Sequence, residues 1–259
     1  MTITVAVVGA TGRMGQLISR LIEDSSDFDL LARLGSSSRL DDMLAADLVV
    51  DVTVPAVSQG VVDFAVGHGK RVLVGTSGWS AARISSLENR MAAEGLGAAA
   101  IIIPNFSIGS VLATSFAAMA ARFYDSIEIV EAHRASKVDS PSGTAVRTAE
   151  LIGNARAALG PVIAPHADQR ARGQQVSSVP IHSLRMQGVV ARQDVIFGGT
   201  GEVLTLMHET LDPSSYESGI LLALRALPAA SGVVVGLESL MDLGPTRVSP
   251  PDSIPTDLE

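Results

Sequence analysis

Thr4-Val5-Ala6-Val7-Val8-Gly9-Ala10-Thr11-Gly12-Arg13-Met14-Gly15 is the stretch on which the fold turns. An apolar run ends at Gly9, and the period then changes. Met14, Leu17, Ile18, Leu21 and Ile22 fall on one face of a helix spanning Arg13 to Ile22. The glycines fit G-x-x-G-x-x-G, a relative of the dinucleotide-binding fingerprint. Gly9 permits the tight turn, Gly12 lets backbone approach a pyrophosphate, and Gly15 allows the helix to touch the strand. The helix start offers free N–H groups and a partial positive charge to phosphates. The plain alternative is a tight strand-to-helix turn that binds nothing.

Outward from this turn the same alternation repeats. Strands are expected at Thr4–Val8, Phe28–Leu34, Leu48–Val52, Arg71–Gly75 and Ala98–Ile103, with helices at Val57–Val66 and Ala81–Glu94. Strands this apolar are buried on both faces, as in a parallel sheet covered by helices. The class is therefore α/β, a doubly wound Rossmann-type parallel sheet. After Pro104 the rhythm changes. Helices are expected at Gly109–Phe123 and Ser142–Ala158, a strand at Ile127–Ala132, and a long polar loop from Gly160 to Pro180. Ile181–Met186, Val189–Phe197 and Val203–Thr210 read as consecutive strands of an antiparallel or mixed sheet, hence a second, α+β unit. Tyr216–Leu227 is helical again, and the proline-rich acidic stretch from Ser249 reads as a disordered tail.

Composition limits the function classes. The chain has 259 residues, 47% hydrophobic and 18% charged, which is not a disordered composition. Aromatics are 3%, so Ala, Val, Leu and Ile must build the core. A net charge of −8 makes nucleic acid an unexpected partner. The absence of cysteine excludes disulfides, thiolate metal sites and cysteine nucleophiles. His68, His166, His182 and His208 show no metal-ligand spacing, so no metal is expected. No segment reads as membrane-spanning, and Met1-Thr2-Ile3-Thr4 enters a strand without a basic leader, so a cytoplasmic enzyme is expected.

Two features bear on the cofactor. The second strand ends in Arg33-Leu34-Gly35-Ser36-Ser37-Ser38-Arg39, without the acid that NAD sites place against the ribose 2′-hydroxyl. Hydroxyls such as that of Ser36, with guanidinium groups nearby, suit a 2′-phosphate, so NADPH is preferred and NADH remains possible. Solvated loop arginines are the alternative. The loops holding Thr53 and Gly75-Thr76-Ser77-Gly78 follow strand ends, where ligands of such sheets bind.

The chemistry is concentrated in Glu131-Ala132-His133-Arg134-Ala135-Ser136-Lys137-Val138-Asp139-Ser140-Pro141-Ser142-Gly143-Thr144-Ala145. A histidine, an arginine and a lysine lie between a strand and a helix start. Ser140 or Ser142 is placed to cap that helix, and Ser142, Gly143 and Thr144 would present N–H groups and hydroxyls to an anion. Histidine supplies a proton near neutral pH, and lysine a positive charge or a proton. Alone, His133 would read as a strand-end surface residue. The grouping points instead to a site for an anionic substrate.

This segment resembles the E-x-H-H-x-x-K-x-D-x-P-S-G-T-A signature of the dihydrodipicolinate reductase family. The resemblance extends to the Gly9–Gly15 turn, Gly75–Gly78, Pro104-Asn105-Phe106-Ser107-Ile108-Gly109, Phe197-Gly198 and Gly201-Glu202 to His208. The short region between the second and third strands is similar to the family's actinobacterial branch. The resemblance implies reduction of a cyclic imine bearing two carboxylates, in lysine and diaminopimelate synthesis. Hydride reaching an imine carbon leaves nitrogen needing a proton. His133 matches the family's proton donor and Lys137 its second catalytic residue. Gly143 and Thr144 match its substrate-carboxylate contacts. Gly9, Ala10, Thr11, Gly12, Arg13 and Met14 match its cofactor turn. Gly75, Thr76 and Ser77, and Pro104, Asn105, Phe106 and Ser107, match its other cofactor loops. It also implies a dinucleotide-binding domain at 1–104 and 216–248, a substrate and oligomerisation domain at 105–215, a tail at 249–259, and a homotetramer.

The chain departs from the signature at Arg134, where the family has a second histidine that contacts substrate. Arginine keeps a cation there but never acts as an acid near neutral pH. Ala135 and Ser136 are non-ionisable, and Arg192 stands where histidine is expected in close relatives. Two rivals follow: a paralogue reducing another cyclic imine, and a non-catalytic NADP-binding regulator. The regulator would have no use for His133 and Lys137 in front of the Ser142-Gly143-Thr144 helix start.

Overall fold

The computed structural model describes residues 2–94, 97–241 and 243; the expected tail from Ser249 lies outside them. The first hundred residues run β1 (Ile3–Val8), α1 (Arg13–Glu23), β2 (Phe28–Leu34), β3 (Leu48–Asp51), α2 (Pro55–Gly67), β4 (Arg71–Val74), α3 (Ala81–Glu94) and β5 (Ala99–Ile102). Every residue of β3 and β5 is buried. Such strands have no solvent face, and this explains their unbroken apolar runs.

The chain then forms α4 (Ile108–Ala120), β6 (Ser126–Arg134), α5 (Gly143–Ala155), β7 (Gln174–Val176), β8 (Val179–Met186), β9 (Ala191–Gly199), β10 (Glu202–Thr210), α6 (Glu217–Ala226) and β11 (Gly232–Val235). The last strand returns to the first sheet, whose order is β11-β5-β4-β3-β1-β2, parallel throughout. Val5, Val7, Val50 and Ile101 pack on one side with α1 and α6; Ala6, Val8, Val49 and Val72 pack on the other with α2. Because the strands are parallel, their carboxyl ends share one edge. The turns after Val8, Leu34, Asp51, Val74 and Ile102 all emerge there.

The second sheet is mixed, in order β10-β9-β6-β8-β7, with β6 and β8 parallel and the other pairs antiparallel. Ile127, Ile129, Ile181, Val195 and Phe197 face α4 and α5, meeting Ala117, Ala145, Ala149 and Ile152. Burying such a side chain contributes roughly 1.5–3 kcal/mol. The opposite face is uncovered, with Leu184, Met186 and Met207 each about half exposed.

Three expectations need correction. The stretch read as one loop, Gly160 to Pro180, contains a short 3-10 turn (Arg170–Arg172), β7 and the first two residues of β8. β7 is a polar three-residue edge strand, too short to show a period. β6 runs two residues past Ala132, so His133 and Arg134 lie on the strand itself. β11 was not anticipated: it is a four-residue edge strand following a helix and a short 3-10 turn, without an alternating pattern. Among the described residues, no helix is long and apolar enough to cross a membrane.

Candidate functional site

At the glycine turn, each outer glycine is forced by its surroundings. Gly9 has φ +87°, and a Cβ added there would lie 2.6 Å from the Val52 carbonyl oxygen. A Cβ on Gly15 would collide with the Gly9 carbonyl oxygen and Ala10 Cα. Gly12 caps α1 with no side-chain hydrogen bond, and the first turn of α1 holds no acid. The N–H groups of that turn are therefore open to an anion, and the helix field favours one.

The neighbouring strand ends frame this turn. Ser36 is exposed beyond β2, and the hydroxyl of Ser38 accepts the Gly35 N–H at 3.0 Å. Arg33 and Arg39, expected near a 2′-phosphate, instead pair on the surface with Glu23 (2.7 Å) and Asp41 (3.1 Å). Exposed pairs of this kind contribute about 0–1 kcal/mol, so a phosphate can displace them. At the end of β3 the buried carboxylate of Asp51 accepts hydrogen bonds from the amide and hydroxyl of Thr53 and the hydroxyl of Ser58. Gly75 lies under the Phe106 ring, where an added Cβ would come within 2.7 Å.

Pro104 to Ser107 carries the chain out of the first sheet. The Asn105 Nδ2 donates to Ser110 Oγ (2.9 Å) and reaches Thr144 Oγ1 (3.4 Å), so this loop touches the start of α5. Ser107 caps α4: its Oγ accepts the Ser110 N–H at 3.3 Å and lies 3.2 Å from His208 Nε2. Burial holds His208 below the usual imidazole range. The Ser107 hydroxyl thus serves both the cap and a contact with His208, with the donor set by the His208 tautomer.

The centre of the second unit is Glu131, fully buried on β6. Arg185, its neighbour on β8, grips it at 2.9 Å through both terminal nitrogens. The Ser142 N–H reaches Glu131 Oε1 at 3.1 Å, and His133 Nδ1 lies 2.5 Å from Oε2. Burial pushes the Glu131 carboxyl up, but hydrogen bonds from Arg185, Ser183 and His133 outweigh it and hold it below the usual range. The carboxylate accepts, so Nδ1 carries the proton and Nε2 is left free. Burial, opposed by Glu131 and reinforced by Lys137 and Arg185, keeps His133 below the ordinary imidazole value. Lys137 Nζ holds both oxygens of Asp139 at 2.7 Å, and this contact lowers the Asp139 pKa.

A cleft of about 2200 Å³ runs between the two units. It brings Thr76, Ser77, Pro104 and Asn105 from the first sheet's edge to face His133, Lys137, Ser142, Gly143 and Thr144. The Ser142 hydroxyl caps α5 by accepting the Ala145 N–H at 3.2 Å, which leaves the N–H groups of Gly143 and Thr144 to face a ligand. Gly9 to Met14, Ser36, Thr53 and Gly75 lie outside this lining. Phe106 and Ser107 are buried, one in the core and one as a cap, so neither side chain faces the cleft.

Arg134 lies apart from the other candidate substrate contacts. It is exposed and does not line the cleft. Glu131 and His133 share one face of β6, and the next residue points to the other. That other face is the uncovered face of the mixed sheet. Arg147 also lines the cleft and Arg185 grips Glu131, and neither stands out in the sequence. Arg185 had a latent signal, since parallel pairing of β6 with β8 places it beside His133, but that register is not readable from sequence.

Comparison with known proteins covers nearly the whole chain. The family model described as dihydrodipicolinate reductase, N-terminus, matches residues 3–106, and its C-terminus counterpart matches 109–241. The 4-hydroxy-tetrahydrodipicolinate reductase of Clavibacter michiganensis subsp. michiganensis is 70% identical over 247 residues, 95% of this chain and 89% of the relative. The enzyme of that name from Streptomyces griseus is 43% identical, covering 92% of this chain and 98% of its own. Among solved structures, a dipicolinate-bound dihydrodipicolinate reductase from Paenisporosarcina sp. TG-14 superposes with a TM-score of 0.78 at 27% identity, covering 93% of this chain and all of that one.

Proposed function

The chain belongs to the dihydrodipicolinate reductase family, and from that premise we propose that it reduces 4-hydroxy-tetrahydrodipicolinate to tetrahydrodipicolinate with a reduced nicotinamide nucleotide, in lysine and diaminopimelate synthesis. The observation that carries this reading is His133, its Nδ1 tied to buried Glu131, set beside Lys137 and the start of α5 in a cleft facing the loops of a parallel sheet.

The uncapped start of α1, with no acid in its first turn, fits a pyrophosphate, and Gly9 to Met14 would hold it. When bound, the nucleotide supplies a hydride. Loss of the ring hydroxyl with a neighbouring ring proton, as water, leaves a conjugated imine. Hydride reaching it leaves the nitrogen needing a proton, so the balance is one hydride and one proton in and one water out. His133 is the acid that delivers this proton, and Lys137 the second catalytic residue. The N–H groups of Gly143 and Thr144 take a carboxylate of the substrate, and the Thr144 hydroxyl is held in place by Asn105. NADPH is the preferred donor, because no acid stands at the end of β2 and Ser36 is exposed there. Residues 1–104 with 216–248 serve the nucleotide, and 105–215 serve substrate and assembly. We place the enzyme in the cytoplasm.

Supplying substrate in place from pyruvate and aspartate semialdehyde, with the preceding synthase, tests the reading. NADPH oxidation inhibited by pyridine-2,6-dicarboxylate, and faster than NADH oxidation, is the expected result. Absence of turnover while NADPH still binds would sink it.

The uncovered face of the mixed sheet supports a homotetramer. Leu184, Met186 and Met207 are apolar and exposed there, beside the Arg192–Asp194 pair. Light scattering on the purified protein should return four times the chain mass. A monomer at micromolar concentration would refute the assembly.

A further inference from the structure

Among the described residues, a second acid is as deeply buried as Glu131, and the chemistry above does not use it. Asp51 closes β3 with no exposure to solvent. A carboxylate in such a place carries a heavy desolvation cost unless it is fully bonded. Its Oδ1 accepts the Thr53 amide at 3.2 Å and the Thr53 hydroxyl at 2.6 Å, and its Oδ2 accepts the Ser58 hydroxyl. Ser58 Oγ in turn accepts the Trp79 indole N–H at 3.0 Å. An indole only donates and a hydroxyl has one proton, so the chain of bonds runs one way, from Trp79 through Ser58 to Asp51. An ionised carboxylate, which only accepts, is the natural end of it.

The two loops joined here both belong to the site. Thr53 adjoins the glycine turn, since a Cβ added at Gly9 would lie 3.0 Å from its amide nitrogen. Trp79, with Thr76 and Ser77, lines the cleft. We propose that Asp51 is a positioning residue for the nicotinamide nucleotide, anchoring the loop after β3 and the loop after β4 to one buried anion. It also spends the Thr53 proton, so that the Thr53 hydroxyl offers only lone pairs to a ligand. The nucleotide group met by Thr53 is then a donor, a ribose hydroxyl or a carboxamide, and not a phosphate oxygen. This rests on the nucleotide-dependent function proposed above.

Trp79 is the one tryptophan of the chain, so its emission reports this loop directly. NADPH is titrated calorimetrically into the wild-type protein, Asp51→Asn, Trp79→Phe and the double variant, and kcat is measured at saturating nucleotide. Asp51→Asn should weaken NADPH binding about tenfold or more, the scale of a lost hydrogen bond to a charged group. It should also shift Trp79 emission, while kcat at saturation changes little. Trp79→Phe should weaken binding less, and the double variant no more than Asp51→Asn alone. Wild-type affinity in Asp51→Asn, or a loss confined to kcat, overturns the inference. Should Asp51→Asn fail to fold, unchanged affinity in Trp79→Phe overturns it instead. A wild-type protein that binds no nicotinamide nucleotide brings down this inference and the functional reading together. Equal binding by wild type and variants removes the inference alone.

Discussion

Replacing His133 by alanine should lower kcat by about 10²–10⁴-fold, the usual range for a lost general acid, with NADPH affinity unchanged. The glycine turn and the loops after β3 and β4 contain none of the groups that His133 touches. Glu131 keeps its bonds to Arg185 and to the Ser142 N–H, so the fold should survive. The pH profile carries the sign. Burial first, then Lys137 and Arg185, hold His133 below its ordinary value against the pull of Glu131. A lowered pKa means that the acid form of the free enzyme is abundant only below about pH 6.5. Above it, kcat/KM should fall as pH rises, approaching tenfold per unit. The two carboxylates of the bound substrate favour the protonated ring, so kcat itself should bend at a higher pH. In the residual activity of His133→Ala this limb should be gone. A variant with wild-type kcat, or one that keeps the limb, would assign the proton to another group.

The second large effect concerns stability. Glu131→Ala removes a buried anion from between Arg185, His133 and the Ser142 N–H. Breaking a buried pair from one side leaves the other charge uncompensated, at about 3–5 kcal/mol. For a chain of this size that is a fall in melting temperature on the order of 10 °C. The partner Arg185 also holds the Asp139 carbonyl at 2.7 Å, so the segment carrying Lys137 should loosen with it. Pairing the change with Arg185→Met should cost less than the two single losses summed, because no unpaired charge then remains. Urea unfolding of the four proteins decides this. Strict additivity would mean that the pair is not the source of the cost.

Most of the first sheet was legible because its strands are buried on both faces. LVVD of β3 and AAII of β5 have no polar side to confuse with another period. Short edge strands gave no such signal: β7 is polar, and β11 has no helix of its own on one side to complete a repeat. The candidate cluster around His133 was half visible. His133, Lys137 and the Ser142 cap lie within one segment and declare themselves by type and spacing. Arg185 lies 54 residues from Glu131, and only strand register brings them together. For Arg134 the resemblance suggests a position in the cleft, whereas alternation along β6 turns it to the other face of the sheet. Asp51 read simply as part of a loop placed to touch the cofactor, since its partners come from α2 and the following loop.

The return of the chain to the first sheet has a consequence for biosynthesis. β5 emerges from the ribosome as a wholly apolar strand, and its outer neighbour is β11. About 130 residues must be translated between them, roughly 6–26 s at common elongation rates. Throughout that interval the nascent nucleotide-binding half shows an open sheet edge, the feature that most invites pairing with another chain. The intervening unit is therefore a delay as well as a domain. The time taken to make that unit and release β11 sets how long the edge stays available to a chaperone or to a neighbouring nascent chain.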